Sequence, residues 1–365
     1  MNIAAIIAEY NPFHSGHGYH IQKTREICDA DAVICIMSSS FVQRGAPACL
    51  DKFIRTRLAL EGGADMVLEL PGVYSLQSAE FFARGAVRLL GASGMVNSLS
   101  FGVERYVADA EPAQSNRVRA RLDAGQPYSR ALGSELSPNS LLGAEYIRAV
   151  GELAPRINTV QVLRRGAGHD SMLESRHLSA SNLRARMLAG EDVSDYTAAS
   201  GEGFVDSEQM LVPVLCALRS MSLDKLRGIS QVSEGLEYVI KEAARDAESL
   251  DELIKKCKSK RYTYSRLARI MCCAFLGITK EMTDAANQGY PFIRVLGVKK
   301  EKKELLSELT RRSSLPVCIN TADFIAHCSP EAAEALRKEC EMTDLRAALA
   351  KRRGSADFTE GLIII

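Results

Sequence analysis

The chain has 365 residues, with 46 Lys+Arg against 45 Asp+Glu, 46% hydrophobic residues, ten cysteines and no tryptophan. That apolar fraction with near-neutral charge excludes a disordered chain, and no apolar run approaches the about 18 residues of a membrane helix. At roughly 100–200 residues per domain, the length predicts two.

The apolar start, Ile3 to Ala8, lacks a basic flank and runs straight into Glu9 and Asn11, which predicts a buried strand rather than a signal peptide. The next elements alternate. A helix over Gly18–Ala30 is followed by the strand AVICIM, a loop through Ser38–Pro47 and a helix from about Asp51 to Glu61. The strand MVLELP, a helix over Ser78–Leu90 and the strand SLSFG come next. Residues 105–150 read as helical, and TVQVL at Thr159–Leu163 as a fifth strand. Short Val/Ile-rich runs separated by amphipathic helices imply βαβ units, hence an α/β fold with a Rossmann-like parallel sheet.

The most informative segment is Glu9–His20, EYNPFHSGHGYH, between the first strand and the first helix. Three of the six histidines, His14, His17 and His20, fall there, with Gly16 inside the H-x-G-H core. Gly16 permits close approach, and His17 sits near a helix N-terminus whose free N–H groups attract phosphate. Two imidazoles so placed can donate to a nucleotide's α-phosphate as charge develops there. A metal site is the weaker reading, because no carboxylate or Cys completes the set nearby. Further on, SASNLRARM sets Ser179 and Ser181 before Arg184 at a helix start, a second phosphate clamp when read together with H-x-G-H.

After about residue 190 the polar stretch EDVSDYTAASGEGF marks a boundary, dividing 1–194 from a mostly helical 195–365. Residues 251–320 hold 15 Lys+Arg and 7 Asp+Glu, a local balance of 15 − 7 = +8. Within them KKCKSKRYTYSR, at 255–266, interleaves basic residues with Tyr262 and Tyr264, a composition suited to RNA backbone contact and stacking. Lys299–Lys303, with Glu301 and Glu304 nearby, reads as a solvated helix face. The cysteines show no C-x-x-C spacing and sit mostly in apolar contexts, which predicts free thiols and a cytoplasmic protein.

The H-x-G-H turn plus the S-x-S-x-x-R helix resembles the nucleotidylyltransferase superfamily. AEYNPFHSGHGYH, then SSSFVQRGAPACLDKFIR at 38–55, ADMVLELP, SFGVE, SPNSLLGAEY at 137–146 and KRYTYSRLARIMC at 260–272 run in the order of the tRNA(Met) cytidine acetate ligase family, over nearly the whole chain. The resemblance implies activation of acetate by ATP with Mg²⁺, giving acetyl-adenylate and pyrophosphate. Acetyl transfer to N4 of the wobble cytidine of elongator tRNA(Met) then gives N4-acetylcytidine. It places ATP contacts on Ile7, Ala8, Glu9, Tyr10, Asn11, Pro12 and Phe13, and onward on His14, Ser15, Gly16, His17, Gly18, Tyr19 and His20. It adds Gly102, Asn139 and Arg164, with Arg165 as rival of the last. His14 and His17 are the expected catalytic pair, and Arg184 a phosphate partner. Arg44, Lys52, Lys260, Arg261 and Arg266 are expected to meet substrate or tRNA. The chain departs from the family pattern at Ser15, Ser39 and Val103, and lacks a Tyr before His169. The competing readings are a small-molecule nucleotidylyltransferase acting on a phosphorylated metabolite and, more remotely, a non-enzymatic RNA-binding protein.

Overall fold

The computed structural model describes residues 1–107, 138–164, 178–199, 201–233 and 235–365; the expected helix within 108–137, together with Arg165 and His169, lies outside them. The chain opens with β1 (Ile3–Ala8), α1 (Ser15–Cys28) and β2 (Ala32–Ser38), followed by the small antiparallel pair β3 (Phe41–Val42) and β4 (Ala46–Pro47). α2 (Lys52–Glu61), β5 (Met66–Leu70), α3 (Gly72–Ser75), α4 (Ala79–Ser93) and β6 (Ser98–Val103) complete the first part. Helix Pro138–Leu153 then leads into β7 (Asn158–Leu163) and helix Ala180–Leu188.

β1 and β2 read as unbroken apolar runs because both faces of a parallel sheet are covered. Ile3, Ala5 and Ile7 enter the larger core, and Ala4, Ile6 and Tyr10 the smaller one on the other face. The helices begin where local chemistry dictates. The Asp51 side chain accepts the Ile54 N–H at 2.8 Å to cap α2, and α4 ends on Gly94 in the left-handed region.

The second half adds β8 (Ile293–Val298), β9 (Val317–Cys318) and β10 (Ile363–Ile364), and among the described residues the main sheet has eight strands, with order β10-β8-β5-β2-β1-β6-β7 and β9 added on β8. The pairs from β5 through β7 are all parallel. The chain moves outward from β1 through β2 and β5, then crosses back to β6 and β7. The crevice past the carboxyl ends of β1 and β6 is therefore the topological switch point, where open α/β sheets bind ligands.

The second half is largely helical as expected, with helices including Leu211–Ser220, Leu236–Ala243, Leu250–Cys257, Tyr264–Leu276 and Pro330–Leu349. The expected division at 194/195 needs correction, however. β8 (Ile293–Val298) pairs antiparallel with β5, while β9 (Val317–Cys318) and β10 (Ile363–Ile364) pair with β8. The second half thus supplies one edge of the sheet, and a chain cut near 195 would leave β5 with an unpaired edge and its core uncovered.

Candidate active site

His14 is the N-cap of α1, and the H-x-G-H spacing turns the two histidines into a capping box. The Gly16 N–H donates to His14 Nδ1 at 3.1 Å, and the His14 N–H donates to His17 Nδ1 at 3.2 Å. Both Nδ1 atoms are acceptors, so each neutral ring carries its proton on Nε2 and offers that N–H as a donor. The rings stack at 3.8 Å between centroids, and Tyr10 and Phe13 pack against His17. Only glycine fits at position 16, since a Cβ there would lie 2.9 Å from His14 Cε1. The helix starts at Ser15, earlier than the periodicity predicts, because the cap is an imidazole.

Distant residues fix the turn. Arg184 Nη1 donates to the Asn11 carbonyl at 2.6 Å and Nη2 to Ser181 Oγ at 3.1 Å. The Ser15 N–H donates to the Tyr196 carbonyl at 3.1 Å, and the Thr197 hydroxyl to the Phe13 carbonyl at 2.5 Å. Ser179 caps the Ala180–Leu188 helix, and Arg184 on that helix brings a guanidinium to the H-x-G-H loop. Tyr196 and Thr197 are absent from the sequence reading, because they act through backbone groups that no spacing rule connects to position 14.

Burial drives His17 well below the usual imidazole range, and His14, Arg164 and His20 push it the same way. His20, hydrogen-bonded to Ser100 Oγ at 3.1 Å, is lowered by burial and by Arg164 to about 4. Arg164 thus stands within electrostatic reach of His17 and His20. Its stem packs on Gly102, where a Cβ would sit 3.3 Å from Arg164 Cγ. Asn139, at the start of its helix, donates to Glu104 Oε1 at 2.5 Å. The depressed values keep His17 and His20 uncharged from about pH 6 to 8. His17 and His20 should accordingly contribute no titration near about 6.5 to the rate of nucleotide activation. A pH profile of pyrophosphate exchange checks this, and an acid limb near that value, absent in His17→Ala, would contradict it.

Other expected site residues are distributed differently. Arg44 is exposed at the tip of the β3–β4 loop and makes no hydrogen bond or ion pair among the described residues. Gly45, at φ +82°, lets this loop touch the Tyr264–Leu276 helix, since a Cβ would come 2.3 Å from the Arg269 nitrogen. Arg269 Nη1 also donates to the Gln43 carbonyl at 3.4 Å. The fold therefore joins the QRG and KRYTYSR segments. Lys52 is a correction, because it is fully buried with its ammonium 2.7 Å from both Glu69 Oε1 and Asp357 Oδ1. It cannot reach substrate or RNA.

Lys260 and Arg261 are exposed. Arg266 is half-buried, donating to the Gln231 carbonyl at 2.9 Å and to Ser233 Oγ at 2.8 Å while stacking on Tyr262. Tyr262 is buried and Tyr264 exposed, so only the second can stack on a base. Among the described residues no group of three or more His, Cys, Asp or Glu could hold a metal ion, and no helix is long and apolar enough to cross a membrane.

A switch-point turn with two imidazoles at a helix N-terminus, Arg184 bonded to its backbone and Arg164 in electrostatic reach, is the arrangement of a nucleotidyl transferase. A family model described as HIGH Nucleotidyl Transferase matches residues 1–359, and the chain belongs to that family. Among its relatives is the tRNA(Met) cytidine acetate ligase of Acetivibrio thermocellus, 32% identical with all of both chains covered. The ligase of the same name from Clostridium kluyveri is 35% identical, covering 87% of this chain and 89% of its own. The crystal structure of Thermotoga maritima TmcAL bound with alpha-thio ATP superposes with a TM-score of 0.89 at 28% identity, all of each chain covered.

Proposed function

We infer that this protein is an ATP-dependent acetate ligase that forms acetyl-adenylate and pyrophosphate, then transfers the acetyl group to N4 of the wobble cytidine of elongator tRNA(Met). The carrying observation is the stacked pair of imidazoles at the N-terminus of α1, each with Nδ1 accepting a backbone N–H. An acetate oxygen attacks the α-phosphorus in line, and pyrophosphate leaves. His14 and His17 donate to the α-phosphate as its charge grows, which needs no proton transfer. Arg164 and Arg184 answer the charge of the leaving pyrophosphate. Gly102 and Asn139 fit the adenosine side of the crevice. Mg²⁺ would accompany ATP as its counter-ion, part of the substrate.

The transfer half needs an RNA face. Arg44, Lys260 and Arg261 are exposed cations on two segments that touch, well suited to phosphates of the anticodon arm. Ten free thiols suit the reducing cytoplasm. ATP–pyrophosphate exchange on the purified protein tests the reading: exchange should require acetate. Exchange that ignores acetate and responds instead to a phosphorylated metabolite would replace it with the small-molecule nucleotidylyltransferase.

A further inference from the structure

Glu9 is the first residue after β1, at the switch point and five positions before His14. It follows Ile3, Ala5 and Ile7, whose side chains face the larger core, whereas the α1 residue Ile21 and Phe13 of the turn belong to the smaller one. The Glu9 carboxylate therefore extends over the sheet end on the side opposite α1. The same side carries Phe41 and the Tyr264–Leu276 helix, whose Phe275 ring meets Phe41 at 6.4 Å. Glu9 Oε1 accepts the Gln43 N–H at 2.8 Å, so the carboxylate is anchored to the loop that carries Arg44 and leans on that helix.

Its other oxygen, Oε2, has no hydrogen-bond partner, and no cation lies within ion-pair distance of the carboxylate, among the described residues. The side chain is half-buried, enclosed by protein yet open to solvent. On the ligase reading, with the imidazoles on the α-phosphate and the RNA face on the side of Arg44 and the Tyr264–Leu276 helix, the acyl group would fall between them.

We propose that Glu9 is the catalytic base of the transfer step, its Oε2 accepting a hydrogen of the cytidine N4 amine and taking that proton as N4 attacks the acetyl carbonyl carbon. The inference rests on the ligase reading. The N4–C bond forms while one N4–H bond breaks toward Oε2. The tetrahedral intermediate then collapses, breaking the carbon–oxygen bond to AMP, which leaves with the electron pair. The second N4 hydrogen stays in the amide product, and Glu9 returns its proton to solvent. The exocyclic amine of cytosine is a weak nucleophile, so a positioned base matters more here than for an alkyl amine. A carboxylate is also the side chain that pairs with the cytosine N4 donor and repels the O4 of uridine. Burial pushes the Glu9 carboxyl above its ordinary range, against the Gln43 N–H and the fields of Arg44, Arg184 and Arg55, which strengthens it as a base.

Glu9→Gln keeps an oxygen for the Gln43 N–H and the side-chain shape, and removes only the basic oxygen. With full-length protein, transfer of labelled acetyl to tRNA(Met) should fall about 10²-fold further than acetate-dependent pyrophosphate exchange does, whatever the variant costs in ATP contact. Wild-type transfer should rise with pH through a carboxyl titration that the variant's residual rate lacks, and Glu9→Asp should recover part of the rate. Equal loss of both half-reactions, undiminished transfer, or an unchanged pH profile overturns the proposal. If the wild type exchanges pyrophosphate but places no acetyl on tRNA, the RNA acceptor itself is wrong and the role of Glu9 falls with it, a result visible without any variant.

Discussion

His17→Ala should lose acetate-dependent pyrophosphate exchange by about 10²–10³-fold, the usual cost of one positioned donor to developing charge. The side chain has two jobs. Its Nδ1 accepts the His14 N–H, which makes Nε2–H the ring's donor on the proposed reading. Loss of the cap alone costs about 1 kcal/mol, so the variant should stay folded with a thermal midpoint only a few degrees lower. His17→Gln separates the jobs, because glutamine at the third helical position can still reach back to the cap N–H. It should restore stability without restoring exchange. Recovery of both by glutamine would mean that His17 matters only as a cap.

Lys52→Ala should destabilise the chain by about 3–5 kcal/mol, the range for removing one partner of a buried ion pair. Lys52 lies at the centre of a network that joins distant segments. Glu69 of β5 takes Lys52, Arg294 of β8 at 3.1 Å and the Ser39 hydroxyl at 2.8 Å. Asp357, near the chain end, takes Lys52 and Arg294, each at 2.7 Å. Without the ammonium, two buried carboxylates share one guanidinium.

The pH dependence has a defined sign. Burial raises the Asp357 carboxyl, but Lys52 and Arg294 outweigh it and hold the group at about 2. Glu69 is lowered against burial by the same two cations. A depressed carboxyl stabilises the fold above its unfolded value near 4, and that contribution disappears as pH falls toward about 2. Urea unfolding at a series of pH values should show this acid loss in the wild type and a flatter acid limb in Lys52→Ala. Equal stability of the two proteins at neutral pH would remove the network from the account.

The parallel sheet is legible in the sequence because a strand covered on both faces announces itself as an unbroken apolar run, as IAAIIA and AVICIM do. The histidine turn is legible as a cluster, but its role as a reciprocal cap is not, since imidazoles are uncommon caps. β8 is the clearest gap. IRVLGV carries an arginine in its interior, which argues against a central strand until Glu69 and Asp357 are seen to neutralise it. Lys52 misleads for the same reason in reverse. A lysine opening a helix after a polar loop looks solvent-facing, and its partner Asp357 lies at the other end of the chain. Charges paired over such distances leave no local pattern. The contact between Gly45 and the Arg269 backbone is equally silent in one dimension, although both segments stand out singly.

The most direct measurement is incubation of the wild-type protein with ATP, isotope-labelled acetate and elongator tRNA(Met), followed by nucleoside mass analysis. The account predicts one labelled acetyl per tRNA, on the wobble cytidine, with AMP and pyrophosphate released in step and no label without ATP. Unlabelled cytidine beside active pyrophosphate exchange, or label that appears without AMP, would contradict it.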